Sequence, residues 1–360
     1  MNYRQATLLA TKQITTAATE TISLAGLDAI SRVYAVIELT NNGNNPTNHP
    51  LAAMSKIDIV DGSDVIASMS GYGAQAMSYY DLGKMPHNEL NYEDNGVARV
   101  CVPINFGRFL WDPLLALVPA RFRNLQLRIA HNYALGGCSP DNAYLRVFAD
   151  MFDEKQVSPI GYMQNQEIFS YTPATSGIEY IELPVDNDIR KIVVMNVNDN
   201  EEPDVEFESI MIDEAKGKHV IVDCMTMDLI RRSAEVYERF SECCSGHLLA
   251  TTADEFWLSA SKDIQVGGLC DTNDAILTFT WTGGRSRSFY GSAATFFGAN
   301  VSGRCPHGAV PILFGDQSNP DDWWKVSEAG EARIRLTARS SAAIDTEKTT
   351  DLMVQGIQRY

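Results

Sequence analysis

The chain has 360 residues, a formal net charge of −17 at pH 7, 45% hydrophobic residues and 21% charged residues. That length suffices for two domains and a large core. The acidic balance argues against a direct grip on nucleic acid, which needs Lys and Arg against phosphate, and against docking on anionic lipid by charge alone.

Residues 1–20 are polar, rich in Thr and Ala, and carry only Arg4 and Lys12 as basic residues, so an N-terminal arm, extended or briefly helical, is expected. They lack a basic start followed by a long apolar run, so no signal peptide is expected. Nowhere does the chain approach the roughly 18 apolar residues of a membrane span. Strand signals begin at Glu20–Leu24 and Ile30–Leu39, where Val33, Ala35, Ile37 and Leu39 share one face at period two. An Asn-rich loop covers 40–50. Ile57 and Ile59 alternate with polar residues, and Asp61-Gly62-Ser63-Asp64 turns into Val65-Ile66-Ala67, which predicts a hairpin. Ala74–Tyr80 reads as a short helix and Val97–Ile104 as a strand. Asp112-Pro113 fits an N-cap followed by Pro at the first helical position, predicting a one-turn helix over Leu114–Val118. Leu125–Ile129 and Tyr144–Met151 read as strands. Residues 153–177, with Pro159, Gly161, Pro173 and Gly177, read as a connector.

Beyond the connector the order recurs. Glu179–Leu183 lies 159 positions after Glu20–Leu24, and Ile189 lies 159 after Ile30. Val220 follows Val65 by 155, Met225 follows Met69 by 156, and Tyr237 follows Tyr80 by 157. Thr226 is placed to cap a helix over Met227–Phe240. The hexapeptide Val102-Pro103-Ile104-Asn105-Phe106-Gly107 returns as Val310-Pro311-Ile312-Leu313-Phe314-Gly315, offset by 208. Pro320, Arg335 and Leu352 each follow Pro113, Arg128 and Leu145 by 207. Landmarks in one order with a single step in offset indicate an internal duplication whose second copy carries about fifty extra residues between Tyr237 and Pro311. The reading is therefore an arm (1–20), a first unit (21–152), a connector (153–177) and a second unit (178–360) with an insertion at about 238–310.

Each unit holds about eight short strands, one or two short helices and no βαβ alternation, which predicts an all-β, antiparallel fold. Eight strands arranged as two Greek keys form a jelly roll, and an immunoglobulin-like sandwich is the alternative. Helices at fixed places in the strand order favour two tandem eight-stranded antiparallel jelly rolls with short inter-strand helices.

Pro103-Ile104-Asn105-Phe106-Gly107-Arg108, then Asp112-Pro113, then Asn124-Leu125-Gln126-Leu127-Arg128-Ile129 form a strand–helix–strand passage. With the duplication beside it, the chain over about residues 20–360 resembles the double jelly-roll major capsid proteins of tailless icosahedral phages. The resemblance implies a structural virion protein without catalysis or cofactor, in homotrimers of pseudo-hexagonal outline that tile an icosahedral shell. It implies neighbouring capsid trimers, vertex (penton) proteins and minor capsid proteins as partners. It makes the insertion a tower or an inter-subunit clasp and sets the arm and chain ends facing inward or locking neighbours. In many relatives a membrane lies beneath the shell. Location in the virion capsid, with synthesis and assembly in the host cytoplasm, follows from the same likeness. The rival readings are a glycan-acting enzyme on two jelly rolls and a carbohydrate- or receptor-binding virion protein.

The residues that could carry chemistry are few. Cys101, Cys138, Cys224, Cys243, Cys244, Cys270 and Cys305 form no even framework, so reduced thiols are expected. The insertion gathers Cys243, Cys244, His247, Cys305 and His307, soft ligands for a structural zinc, but Cys-x-x-Cys spacing is missing and small buried thiols are the commoner explanation. Asp199, Glu201, Glu202 and Asp204 crowd one loop and could hold calcium, or could form a solvated edge. The six histidines are scattered, without the paired spacing of a cupin metal site. Gly283-Gly284-Arg285-Ser286-Arg287 lacks the ending of a phosphate loop and reads as a turn. Trp111, Trp323 and Trp324 lie beside the repeated proline landmarks, which favours packing over sugar stacking. No catalytic or cofactor-binding residue is assigned, and direct nucleic-acid binding is not expected.

Overall fold

The computed structural model describes residues 1–41, 48–93, 95–136, 140–198, 201–248, 254–259, 261–270, 277–281, 286–291, 295–339, 344 and 348–360. The first half of the chain runs through β1 (Tyr3–Ile14), β2 (Ala18–Ser23), β3 (Ile30–Asn41), β4 (Met54–Asp61), β5 (Asp64–Met69), helix α1 (Gly71–Leu82), β6 (Glu89–Asn91), β7 (Val97–Asn105), β8 (Leu125–His131) and β9 (Pro140–Phe152). The second half begins with β10 (Gly161–Tyr171), β11 (Gly177–Glu182), β12 (Ile189–Asn196), the single turn α2 (Pro203–Glu206), β13 (Phe207–Glu214), β14 (His219–Met225) and helix α3 (Thr226–Val236). The insertion supplies β15 (Phe240–Leu248), β16 (Asp254–Trp257), β17 (Lys262–Cys270), β18 (Leu277–Trp281), β19 (Ser286–Gly291) and β20 (Thr295–Arg304). The unit closes with β21 (Ala309–Leu313), β22 (Ala332–Ala338) and β23 (Thr350–Arg359).

Strand pairing follows one pattern in both halves of the chain. The first roll sets β1-β9-β3-β7 against β2-β8-β4-β5, and the second sets β10-β23-β12-β21 against β11-β22-β13-β14. The strand orders are the same once the second set is shifted onto the first. Alternation of apolar residues inward is plain in β8, where Leu125, Leu127, Ile129 and His131 are buried and the residues between them are half-exposed. The two rolls are two tandem antiparallel jelly rolls.

The Phe-Gly turns occupy corresponding points. The Phe106 amide donates to the Ser31 carbonyl at 3.1 Å, and the Phe314 amide donates to the Arg190 carbonyl at 3.1 Å. Ile30 exchanges backbone bonds with Leu117, as Ile189 does with Trp324. At Gly315, with φ +63, a Cβ would lie 2.0 Å from the Asp322 carbonyl oxygen, so the tight turn requires glycine.

Four expectations are corrected. Residues 1–20 are no free arm: β1 pairs antiparallel with β9 from Tyr3 to Ile14 and is the first strand of the first roll. Its face is half-solvated, so it lacks the apolar alternation that marks a strand. Residues 153–177 are not only a connector: β10 pairs with β23 from Gly161 to Tyr171 and is the first strand of the second roll. Its buried Asn165 pairs with Gln355, so a polar residue sits where an apolar one would signal a strand. Leu114–Val118 forms no helix. Asp112 Oδ1 accepts from the Leu114 amide at 2.9 Å while Arg108 clamps both carboxylate oxygens, closing a single turn. Leu115 and Leu117 are then drawn into bridges with Gly161 and Ile30. The helix expected over Met227–Phe240 runs Thr226–Val236, with Met225 at the cap position.

The rolls are joined through two parallel pairings. β5 meets β10 at Ser68 and Gln166, fusing half of each roll into one eight-stranded sheet. β6 meets β15, so the second roll's insertion extends the first roll's other sheet with β15, β20 and β17. β16, β19 and β18 form a separate three-stranded sheet.

Candidate functional site

Helix α1 lies at the seam between the rolls. Ser70 caps it by accepting from the Gly73 amide at 3.1 Å, and Gly83, with φ 68, ends it. Most of it from Gly71 to Tyr80 is buried, because both rolls wrap it. Gly73 allows the second roll to approach: a Cβ there would stand 2.6 Å from Met353 Sδ. At the helix end Asp81 accepts from Arg190 Nη1 at 2.6 Å, Lys191 Nζ at 2.8 Å and Gln355 Nε2 at 3.1 Å. Lys191 also donates to the Tyr80 carbonyl at 2.7 Å and is fully buried. Burial pushes its ammonium down to about 7, against the pull of Asp81. One anion of the first roll thus holds two cations of the second.

A second buried network fixes the insertion to the first roll. Glu242 on β15 accepts from the Ser259 amide at 2.9 Å and from Asn88 Nδ2 at 3.1 Å, and lies 3.5 Å from His49 Nε2. Burial alone would raise its pKa, but His49, Ser259 and Asn88 hold the carboxyl down at about 2. Asn88 accepts in turn from Gln75 Nε2 at 2.8 Å, and Gln75 Oε1 lies 3.0 Å from His307 Nε2. The network therefore reaches from α1 to the base of the insertion.

Helix α3, the second roll's counterpart of α1, is different. Leu229, Ile230 and Ser233 are buried, but Val236 is 63% exposed. Between α3 and β21 stands a cavity of about 480 Å3, lined by Leu229, Arg232, Val236, Ile312, Phe314 and Asp322 among others.

The candidate ligand residues that the structure describes do not come together as one set. Glu202 and Asp204 both bind Lys262 Nζ, at 2.5 and 3.0 Å, so an ammonium stands between them. Glu201 stays half-exposed, and Asp199 lies outside the described residues. Cys243 is exposed and Cys244 buried, because neighbours on a strand face opposite ways. Cys305 is buried beside Tyr80, its thiol pushed up to about 12 by burial. His307 is engaged by Gln75. The His247 side chain and residues 283–285 of the glycine-rich turn lie outside what the structure describes. Among the described residues no group of three or more His, Cys, Asp or Glu could hold a metal ion, and no helix is long and apolar enough to cross a membrane. Trp111 packs on Tyr3 at 4.4 Å, Trp324 on Phe314 at 4.9 Å, and Trp323 is buried with Leu115, Met163 and Ile357.

No protein-family model matches the chain, and no curated protein matches its sequence. Solved structures match along its whole length. The chain is similar to the STIV MCP at 13% identity, with a TM-score of 0.61 over 99% of this chain and 96% of that one. The chain shares the fold of viral major capsid proteins. It is similar to a chain of the PBCV-1 virus capsid at 12% identity, with a TM-score of 0.56 over 99% and 94%. It is similar to the major capsid protein P2 of bacteriophage PM2 at 11% identity, with a TM-score of 0.51 over 99% and 98%. In this double jelly roll the residues that do the holding, Asp81, Arg190, Lys191 and Glu242, escaped notice because their partners lie far away in sequence: Asp81 is 109 and 110 residues from Arg190 and Lys191, and Glu242 is 154 from Asn88. The repeat offset could have found two of them: Asp81 aligns with Glu238 and Lys191 with Arg32, so opposite charges recur in both units.

Proposed function

We propose that the chain is a major capsid protein, a non-catalytic shell subunit of an icosahedral virus of bacteria. The single observation that carries this is coverage: the likeness to the STIV MCP takes in 99% of this chain and 96% of that one, both rolls and the seam included. On this reading three copies associate into a trimer of pseudo-hexagonal outline, since each chain supplies two similar rolls. Neighbouring trimers, vertex proteins and minor capsid proteins complete the shell. The insertion forms a tower or clasp, and a membrane beneath the shell is compatible with the acidic chain. Assembly takes place in the host cytoplasm. We further propose that residues 3–152 and 161–359 are the two rolls as evolutionary units.

Light scattering of the purified protein should give a mass near three times the 39.8 kDa of one chain, and electron microscopy of virions or assembled protein should show hexagonal capsomers. A protein that stays a single chain and never forms particles overturns the reading.

A further inference from the structure

The two rolls make one junction inside the chain, and the counterparts of its elements recur on the outer sides of the two rolls. Inside the chain β10 enters the space beside α1 and β7. The Met163 amide donates to the Phe106 carbonyl at 2.9 Å, the Ala116 amide donates to the Gly161 carbonyl at 3.1 Å, and Gln166 bridges Ser68 on β5. Met163 packs with Leu115, and Asp81 holds Lys191. The repeat offsets carry each of these onto a second set. β10 maps to β1, β5 to β14, α1 to α3, and the turn after β7 to the turn after β21. Among the described residues β14 and β1 are the outer strands of their sheets, and the cavity beside α3 stands where α1 has β10.

The mapped side chains are complementary. Met163 maps to Arg4 and Leu115 to Asp322, so an apolar contact inside the chain becomes a pair of opposite charges, both exposed, with Arg4 at present held by Asp28 at 2.9 Å and Asp322 accepting from Asn319 at 3.0 Å. Lys191 maps to Arg32 and Asp81 to Glu238, which keeps the sign of that ion pair. Glu238 is exposed, and Arg32 is at present held by Asp150 at 2.6 Å.

We infer that the groove between α3 and β21 receives strand β1 of a second copy of this chain. β1 of that copy adds in parallel to β14, Arg4 meets Asp322, and Arg32 meets Glu238. The contact is heterologous: the second roll of one chain receives the first roll of the next, so it closes into a ring if the rotation allows. It deepens the shell-subunit reading, on which the number three rests. Main-chain pairing at a free edge supplies the adhesion, and the charges select the register.

The offset places Thr7 of one copy opposite native Cys224 of the next, as Gln166 stands opposite Ser68. Bridged strand positions are close enough for a disulfide. Thr7→Cys under mild oxidant should therefore give a cross-linked ladder ending at three chains, and Thr7→Cys with Cys224→Ser should give none. Asp322→Arg should weaken association about tenfold or more by light scattering, and adding Arg4→Asp should restore it. Circular dichroism that matches the wild type shows that these exposed changes leave the fold intact. If the wild type forms capsomers while Thr7→Cys gives no Cys224-dependent cross-link and Asp322→Arg assembles normally, the docking is wrong and the shell reading stands. A wild type that never associates removes both.

Discussion

Asp81 carries more than its own weight because it is one anion against two buried cations. Removing it leaves Arg190 and Lys191 desolvated without their counter-charge, whereas removing Lys191 leaves Asp81 still paired with Arg190. Breaking a buried ion pair from one side costs about 3–5 kcal/mol, while replacing charge by a packed apolar group is closer to neutral. Asp81→Asn should therefore lower the urea midpoint sharply, and Lys191→Met should lower it far less. Equal effects would show that the two cations do not share Asp81. Glu167, on the joining strand β10, acts through pH. Burial pushes its carboxyl up to about 7, with Asp351 and Asp58 adding to the effect and Lys56 opposing it. The folded chain thus keeps a proton that the unfolded chain releases near its ordinary value of 4.5. The stability this contributes is complete below that value and is lost as pH rises through about 7. Glu167→Gln should melt above the wild type at pH 8 and near it at pH 4.5. A gap that does not change between these pH values would assign the effect to packing alone.

At the scale of elements, what the sequence made legible followed from how each strand meets water. β3, β8 and the β4–β5 hairpin have one dry face and one wet face, so their side chains alternate and their turn is plain at Asp61-Gly62. β1 and β10 hide for opposite reasons. β1 is too wet, with mostly exposed residues, and β10 is buried among polar partners such as Gln355. Neither shows apolar alternation, so period-two reading missed both. Yet the repeat held the answer: Tyr3 and Tyr162 are separated by the same 159 positions as Ile30 and Ile189. The Asp112-Pro113 step misled in another way. A side chain able to cap a helix can equally close a single turn, and bridges from Leu115 and Leu117 to distant strands outweighed a local preference. The buried charges were illegible because a lone Asp or Glu in sequence does not announce which partner the fold will bring.

Across the whole molecule the seam decides how the chain unfolds. Two tandem rolls joined by a linker would each melt alone, in two steps. Here the largest apolar core is shared: Tyr162, Val193, Met195, Ala309 and Met353 of the second roll pack into it with Ile57, Met77 and Val102 of the first. Phe240, Leu258, Phe297 and Val301 of the insertion join the same cluster. The sheets are shared as well, through β5 with β10 and β6 with β15. Unfolding either roll would strip apolar surface and strand edge from the other, at about 25 cal/mol per Å2 of apolar area exposed. That coupling makes a half-folded chain scarce, so calorimetry should record one transition for the whole chain. Asp81→Asn should move that transition down in temperature as a unit, because the lost ion contacts belong to both rolls at once. Two resolved peaks, or a split appearing only in Asp81→Asn, would mean that the rolls are independent units held together mainly by their buried charges.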